Sequence, residues 1–97
     1  MPKAYVVSCY RSISKPDQLA AYAKVAGPAI AAAGGRFLAR GTAAEAMEDG
    51  VMERTVIIEF ETLDAAMALY DSPMYQEAIK ALGHDAVSRD MRVIEGV

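Results

Sequence analysis

A charged pair, Arg40 and Glu59, is the first candidate for chemistry in this sequence. The segments Arg36–Gly41 and Arg54–Glu61 are typical of neighbouring strands, and alternation of side chains predicts that Arg40 and Glu59 share one face of the sheet. A guanidinium binds carboxylates and a carboxylate can accept a proton, so the pair could clamp an anionic ligand beside a base. Alternatively, the two residues form a structural ion pair that fixes the register of the strands or the geometry of a dimer. The residues alone leave both interpretations open.

Four further side chains could contribute to a site. His84 is the only histidine and follows the helix-ending Gly83, where it could interact with the helix end or act as an acid or base. Tyrosines can present hydroxyls to a ligand or simply pack as amphipathic core residues. The candidate catalytic residues are Glu59 and His84, and the candidate ligand-binding residues are Arg40, Tyr22, Tyr70 and Tyr75.

Other chemistries find little support in the sequence. One cysteine and one histidine do not form a typical zinc site, and Cys9 is expected to be an inert, buried thiol within a strand. Gly34-Gly35 follows a helix and precedes a strand, which is the reverse of a phosphate-binding loop. Ser72 is expected to cap a helix rather than to act as a nucleophile. We therefore expect no metal and no cofactor.

Composition limits the domain organisation and the partners. The 97 residues make a single domain, 1–97, and its hydrophobic share of 54% is more than one small core needs. Ten basic and thirteen acidic residues give a net charge of −3, which argues against binding to nucleic acid or to an anionic membrane. The first apolar run, 4–7, is too short for a signal peptide or a membrane span, and a single cysteine favours a reducing compartment. These features predict a cytoplasmic protein.

The pattern of apolar, proline and glycine residues predicts seven elements. Strands are expected at 3–10, 36–41, 54–61 and 91–95, and helices at 16–33 (bent at Pro28), 63–71 and 73–82. This is a β-α-β-β-α-β order with a broken second helix. Right-handed crossovers then give an α+β, ferredoxin-like domain: a four-stranded antiparallel sheet with its helices on one face.

The far side of that sheet is predicted to meet a partner. In the third strand Val56, Ile58 and Phe60 should face the helices, and in the second strand Phe37 and Ala39 should do the same. The opposite face then carries Ile57 with Arg36, Leu38, Arg40 and either Val6 or Val7. Because an apolar patch on a sheet face usually marks an interface, we expect a symmetric homodimer.

Four ordered blocks of sequence carry a family resemblance. They are Gly34–Gly41, Arg54–Phe60, Tyr70–Gln76 and Glu95–Gly96. Together they resemble the small bacterial proteins known as domain of unknown function 1330, over nearly the whole chain. The resemblance implies a dimeric α+β barrel, in which two sheets close around a shared interior. It implies no particular activity.

The sequence departs from that family pattern at three places. Leu69 stands where members often have tryptophan, and Gly83-His84 stands where they often have arginine. If that arginine serves a family ligand, this chain binds something different or nothing there. The usual acidic helix cap is replaced by Lys15.

Two functions follow from these observations. In the first, the protein is a cofactor-independent enzyme that acts on a small organic, anionic ligand in the barrel interior. By analogy, other dimeric α+β barrels include monooxygenases, isomerases and dehalogenases. In the alternative, it is a non-catalytic dimeric module that binds a small molecule or regulates a partner.

The dimer leads to the first testable prediction. Sedimentation at micromolar concentration should report about twice the 10.4 kDa mass of the chain. Ile57→Lys should dissociate or unfold the protein, because it places a charge in a dry interface. A wild-type monomer would remove the dimer and the barrel together, and a stable Ile57→Lys dimer would show that the facing assignment is wrong.

Overall fold

The computed structural model describes residues 2–97 and confirms the predicted order of elements. The strands are β1 (Ala4–Ile13), β2 (Arg36–Thr42), β3 (Arg54–Phe60) and β4 (Val87–Glu95), and the helices are α1 (Pro16–Ala32), α2 (Leu63–Asp71) and α3 (Pro73–Leu82). The strands lie in the order β2-β3-β1-β4, and every neighbouring pair is antiparallel. This is the ferredoxin-like fold. None of the helices in residues 2–97 has the length and apolar character needed to cross a membrane.

One face of the sheet and the inner sides of the helices form the core. Val56, Ile58 and Phe60 of β3 are buried beneath the helices, as their alternation predicted. In β1 the buried set is Ala4, Val6, Ser8 and Tyr10, so Val7 belongs to the opposite face. The helices contribute Tyr22, Ala26, Ile30, Leu69, Tyr75 and Ala78, among others.

Two side-chain caps fix where the broken second helix starts and restarts. Thr62 Oγ1 accepts a hydrogen bond from the Ala65 amide at 3.1 Å, which begins α2. Ser72 Oγ accepts one from the Tyr75 amide at 3.3 Å and donates one to the Leu69 carbonyl at 2.8 Å. Ser72 is therefore a helix cap, as predicted. The cap also fixes the position of Tyr75 in the first turn of α3.

The edge strand β4 is longer than its sequence pattern indicated. It begins at Val87 rather than at Met91, because β1 continues to Ile13 and pairs with it there. A shift of register between Tyr10 and Ser12 lets the two strands stay paired past an irregularity in β1. The extension brings Arg89 into the sheet.

A second irregularity overturns the predicted facing of β2. Phe37 pairs with Ile58, but Ala39 pairs with Ile57, so Leu38 is an extra residue in the strand. Beyond this point the faces are exchanged, and Arg40 points to the helix side. The prediction that Ala39 faces the helices and Arg40 the open face is wrong, because one inserted residue reverses every later side chain.

Cys9 also differs from its prediction. It belongs to the open face of β1 and is exposed, rather than being a buried thiol. Its neighbours Ser8 and Tyr10 point to the helix side and are buried instead.

Close packing of the second strand against α1 gives a stability prediction. A methyl group on Gly35 would lie 2.7 Å from Ile30 and 2.8 Å from Phe60, whereas one on Gly27 would meet nothing within 4 Å. Gly35→Ala should therefore destabilise the fold by about 1–3 kcal/mol. The control Gly27→Ala should change stability much less, because the helix preference of alanine opposes the contact of its methyl group with the neighbouring Pro28. Urea unfolding measures both, and equal effects of the two would contradict the packing.

Candidate ligand-binding site

Two adjoining spaces lie on the helix side of the sheet. The inner cavity, of about 40 Å³, lies between α1, α3 and the strands. The outer groove, of about 780 Å³, lies between α2, α3 and β4. Arg89 and Met91 line both of them. The two spaces are therefore neighbours along β4.

Three tyrosines surround the guanidinium of Arg89 in the inner cavity. Arg89 Nη1 donates to the hydroxyls of Tyr10 and Tyr22, both at 3.1 Å, and Nη2 donates to Tyr75 at 3.4 Å. The hydroxyls of Tyr22 and Tyr75 form a hydrogen bond of 2.5 Å. The guanidinium also lies 4.8 Å from the centre of the Tyr22 ring, a cation–π distance. We call these four residues the Arg89–tyrosine cluster.

Each member of the Arg89–tyrosine cluster is placed by a different element. Tyr10 and Arg89 are directly opposite each other in the β1–β4 register, so their side chains share a face. Tyr22 comes from the second turn of α1 and Tyr75 from the capped start of α3. Their rings meet edge to face, with centroids 5.9 Å apart.

The cluster keeps a positive charge in a largely dry place. Burial alone would lower the pKa of Arg89, but the charge interactions and hydrogen bonds with Tyr22 and Tyr75 raise it above its ordinary value. Burial, with Tyr22 next, raises the pKa of Tyr75, so its hydroxyl holds its proton firmly. Near neutral pH the cluster therefore combines a cation with neutral hydroxyls.

Hydrogen-bond donors exceed acceptors in the inner cavity. Arg40 and Arg54 line it together with Arg89, and no Asp, Glu or His is among its lining residues in the described chain. The buried Ser8 Oγ and Arg54 Nε have no hydrogen-bond partner within residues 2–97. Because Tyr22 and Tyr75 share one hydrogen bond, one of their protons is also left over. What the lining lacks is an anionic hydrogen-bond acceptor.

Five of the six predicted site residues lie around these two spaces. Tyr22, Tyr75 and Arg40 line the inner cavity, and the Arg40 guanidinium lies 4.2 Å from the centre of the Phe37 ring. Tyr70 and His84 line the outer groove, and both are exposed. The structure therefore places three of the predicted residues at the inner cavity and two at the outer groove. Their roles in binding or catalysis remain predictions.

Glu59 is separate from the other five. It lies on the open face of the sheet, where it forms an ion pair with Arg36, directly opposite in the register. Lys3 Nζ lies 3.7 Å from the same carboxylate, and the Tyr5 hydroxyl donates to it at 3.2 Å. The expected proximity of Arg40 to Glu59 is wrong, because the extra residue in β2 turns Arg40 away. The observed geometry makes Glu59 a member of a charge network with Arg36 and Lys3.

Sequence reasoning missed the residue at the centre of the site. Arg89 escaped notice because β4 was expected to start at Met91, after it. The alternation of Val87, Arg89, Met91 and Val93 with polar residues was the signal that could have revealed it. The residues of each face of β1 could be grouped from the sequence. Because both groups are apolar, the pattern did not indicate which face packs against the helices.

The described residues offer no evident metal site. Within 2–97, no three His, Cys, Asp or Glu side chains come together in a way that could hold a metal ion. A cofactor with an anionic group could be held by Arg89 and the neighbouring guanidiniums. Nothing else in the lining points to a particular cofactor.

The fold and the cavity define a ferredoxin-like α+β domain with a cationic, tyrosine-lined space between its helices and its sheet. The chain belongs to the family described as Domain of unknown function (DUF1330), whose model matches residues 3–97. The family resemblance seen in the sequence is thereby confirmed. No match to this chain was found among the curated proteins.

Solved structures share the fold at low sequence identity. A protein of unknown function from Rhodopseudomonas palustris is 17% identical, with a TM-score of 0.75 over 99% of this chain and 83% of that one. A "dimeric ferredoxin-like protein of unknown function" from Thermobifida fusca is 15% identical, with a TM-score of 0.64 over 97% and 91%. A "putative antibiotic biosynthesis monooxygenase" from Caulobacter crescentus is 18% identical, with a TM-score of 0.62 over 99% and 91%. At these identities the likeness concerns the fold alone.

The raised pKa of Tyr75 leads to a prediction about alkaline stability. A folded-state pKa above the unfolded value gives stability that is fully present below about pH 10 and is lost as pH rises toward the folded-state pKa. Unfolding free energy should then fall above pH 10 by up to about 1.4 kcal/mol per pH unit from this residue. Tyr75→Phe should make the fall shallower. The control Tyr70→Phe, which removes an exposed hydroxyl, should keep the wild-type slope, and three identical slopes would contradict the argument.

Proposed function

We propose that this protein binds a small organic anion through the Arg89–tyrosine cluster. The anionic group, a carboxylate, enolate or phenolate, accepts hydrogen bonds from the guanidinium of Arg89 and from the free hydroxyl protons around it. This places the ligand between the sheet and the helices of one chain. The sequence had suggested the interior between two sheets instead.

The observation that carries the proposal is the surplus of donors around Arg89, a partly buried cation. Three guanidiniums line the inner cavity, while its only acceptors in the described chain are hydroxyl oxygens and main-chain carbonyls. A buried charge without an opposite charge is costly, and a buried donor without an acceptor costs about 1–3 kcal/mol. An oxyanion in the cavity offsets both costs at once.

The size of the inner cavity limits what enters it. A space that holds one water measures about 10–15 Å³ on the same scale, so about 40 Å³ admits a group of a few atoms. A carboxylate or an enolate oxygen with its carbon fits that limit. A larger ligand would have to extend beyond the inner cavity.

Binding is better supported than catalysis. Proton transfer from carbon or oxygen needs a base near neutral pH, and the lining of the inner cavity contains only tyrosines as titratable groups besides arginine. The raised pKa of Tyr75 makes its hydroxyl a donor rather than a base. His84 lines the outer groove, where it could meet only the more distant part of a ligand.

An enzyme that acts on the bound anion is the second candidate. It is favoured by the donor cluster, which would stabilise the negative charge of an enolate or phenolate as an oxyanion hole does. The description of the Caulobacter crescentus structure also names a monooxygenase. This candidate keeps the cofactor-independent chemistry that the sequence suggested.

We also propose that two copies pair through the open faces of their sheets. Val7, Ile57 and Tyr5 lie half-buried in the middle of that face, and Ile94 beside them is exposed. Covering them would remove apolar surface from water. The description of the Thermobifida fusca structure as dimeric agrees with this arrangement.

A cytoplasmic location likewise stays a proposal, favoured by the single, exposed thiol of Cys9.

Arg89→Met should abolish binding of organic anions. A thermal-shift screen of carboxylates, phenols and enols should show stabilisation of the wild type by several degrees, since a ligand at 100 times its Kd contributes about 2.7 kcal/mol. Arg89→Met should show no shift, because the cation and its donors are gone. Arg11→Met is the matched control: it removes an exposed arginine that pairs with Asp90 and lines neither space, so it should behave as the wild type.

The outcome of the same screen separates the two candidates. Compounds that stabilise the protein are incubated with it in air and analysed by mass spectrometry. Recovery of unchanged compound supports the binding protein, and conversion that depends on Arg89 supports the enzyme. If the wild type and Arg89→Met respond equally to every anion, the Arg89–tyrosine cluster is not the site.

A further inference from the structure

We infer that the natural ligand is an amphipathic anion, with its charged group in the inner cavity and an elongated apolar body in the outer groove. This inference rests on the proposed function and adds the class of ligand. A small anionic group alone would leave the outer groove empty. The apolar body of the ligand fills that groove.

The inner cavity and the outer groove lie side by side along β4, where Arg89 and Met91 line both of them. Arg89, Met91 and Val93 alternate along the strand, so all three point to the helix side, opposite Tyr10, Ser8 and Val6 in the register. At about 3.3 Å per residue, the row from Arg89 to Val93 extends about 13 Å. A ligand anchored at Arg89 would therefore pass Met91 and reach Val93 if it followed the strand.

Much of the groove wall is apolar. The apolar part includes Val6, Ala66, Leu69, Ile79, Leu82 and Val93. Met67 and Val93 remain 57% and 44% exposed, which leaves apolar surface in contact with water. A hydrocarbon body in the groove would bury that surface, and burial of apolar area is favourable.

The groove also has polar lining residues. Tyr70, His84, Ser88 and Arg92 contribute to the lining and are exposed, whereas Arg89 is partly buried and also lines the inner cavity. A groove with much apolar wall beside a partly buried cation matches a molecule with an apolar body and one charged end. The volume of about 780 Å³ lies within the range of small-molecule sites, about 300–1,000 Å³.

A second copy of the chain or a peptide segment is a less suitable occupant. The half-buried apolar centre of the sheet is on the opposite face, so the proposed dimer leaves the groove open. Neither occupant accounts for the donor surplus at the inner end, whereas a carboxylate or a phenolate does.

The test is a series of carboxylates of increasing length, measured by calorimetry below their micelle concentrations. Butanoate, octanoate and dodecanoate are compared with dodecanol, which has the same apolar body and no charge. If the groove holds the body, each added methylene that becomes buried should tighten binding about threefold to fourfold. Dodecanoate should bind the wild type much more tightly than dodecanol, and Arg89→Met should bind the two alike.

Variants of the groove complete the experiment. Met67→Gln with Val93→Gln should leave butanoate binding unchanged and weaken dodecanoate binding about tenfold or more, because amide groups replace the apolar walls. The matched control is Met74→Gln. Met74 is a methionine of similar exposure, 46%, on α3 and outside the groove lining. The control should bind the whole series as the wild type does.

The outcomes distinguish this inference from the proposed function. If butanoate binds in an Arg89-dependent way but longer chains bind no more tightly, the amphipathic ligand is wrong and the anion site stands. If the Met67 and Val93 substitutions leave the affinity for dodecanoate unchanged, the groove has another occupant and the inference fails. The same conclusion follows if those substitutions weaken the dimer instead. If no carboxylate, phenol or enol binds at all, both the inference and the proposed function fail.

Discussion

The Arg89 guanidinium is the point at which the tertiary structure of the helix side converges. It donates to hydroxyls from β1, α1 and α3 while belonging to β4 itself. A cation in that place can be tolerated only if its donors are satisfied and its charge is partly balanced. The three tyrosines accept hydrogen bonds from three of its five N–H groups, and as neutral groups they balance the charge only in part. The architecture thus holds a cation in a setting that favours an added anion.

The two faces of the sheet treat charge in opposite ways. On the open face the carboxylate of Glu59 meets Arg36, Lys3 and the Tyr5 hydroxyl, so opposite charges neutralise each other within the chain. On the helix side the guanidiniums of Arg40, Arg54 and Arg89 lie around one cavity whose described lining includes no carboxylate. The first arrangement is suited to structure. The second leaves three guanidiniums without an opposite charge in the described lining, and the proposed anion site rests on that difference.

Sequence patterns predicted the fold well because its elements have clear periods and clear ends. Alternation in β3, the stripe of α1, and the caps at Thr62 and Ser72 each point to one local structure, and the order of elements then restricts the topology. Two irregularities in the strands had no such signal. The extra residue at Leu38 reversed the face of Arg40, and the shift after Tyr10 let β4 continue past Arg89, which pairs with Tyr10, back to Val87.

The site was therefore predicted in its parts and not in its arrangement. The tyrosines and Arg40 were recognised as residue types suited to a ligand, and they do line two neighbouring spaces. Their convergence depends on register, which a single sequence specifies only weakly where both strand faces are apolar. β1 is such a strand, since Val6 and Val7 are equally suited to the core.

The aromatic content of the chain gives the Arg89–tyrosine cluster an optical consequence. The sequence contains five tyrosines and no tryptophan, and three of the five phenol rings belong to the cluster. Because no tryptophan is present to accept their excitation energy, the tyrosines emit directly, and three of the five lie beside the guanidinium. A molecule that enters the inner cavity changes the surroundings of those phenols directly. The unlabelled protein thus carries its own spectroscopic reporter of occupancy.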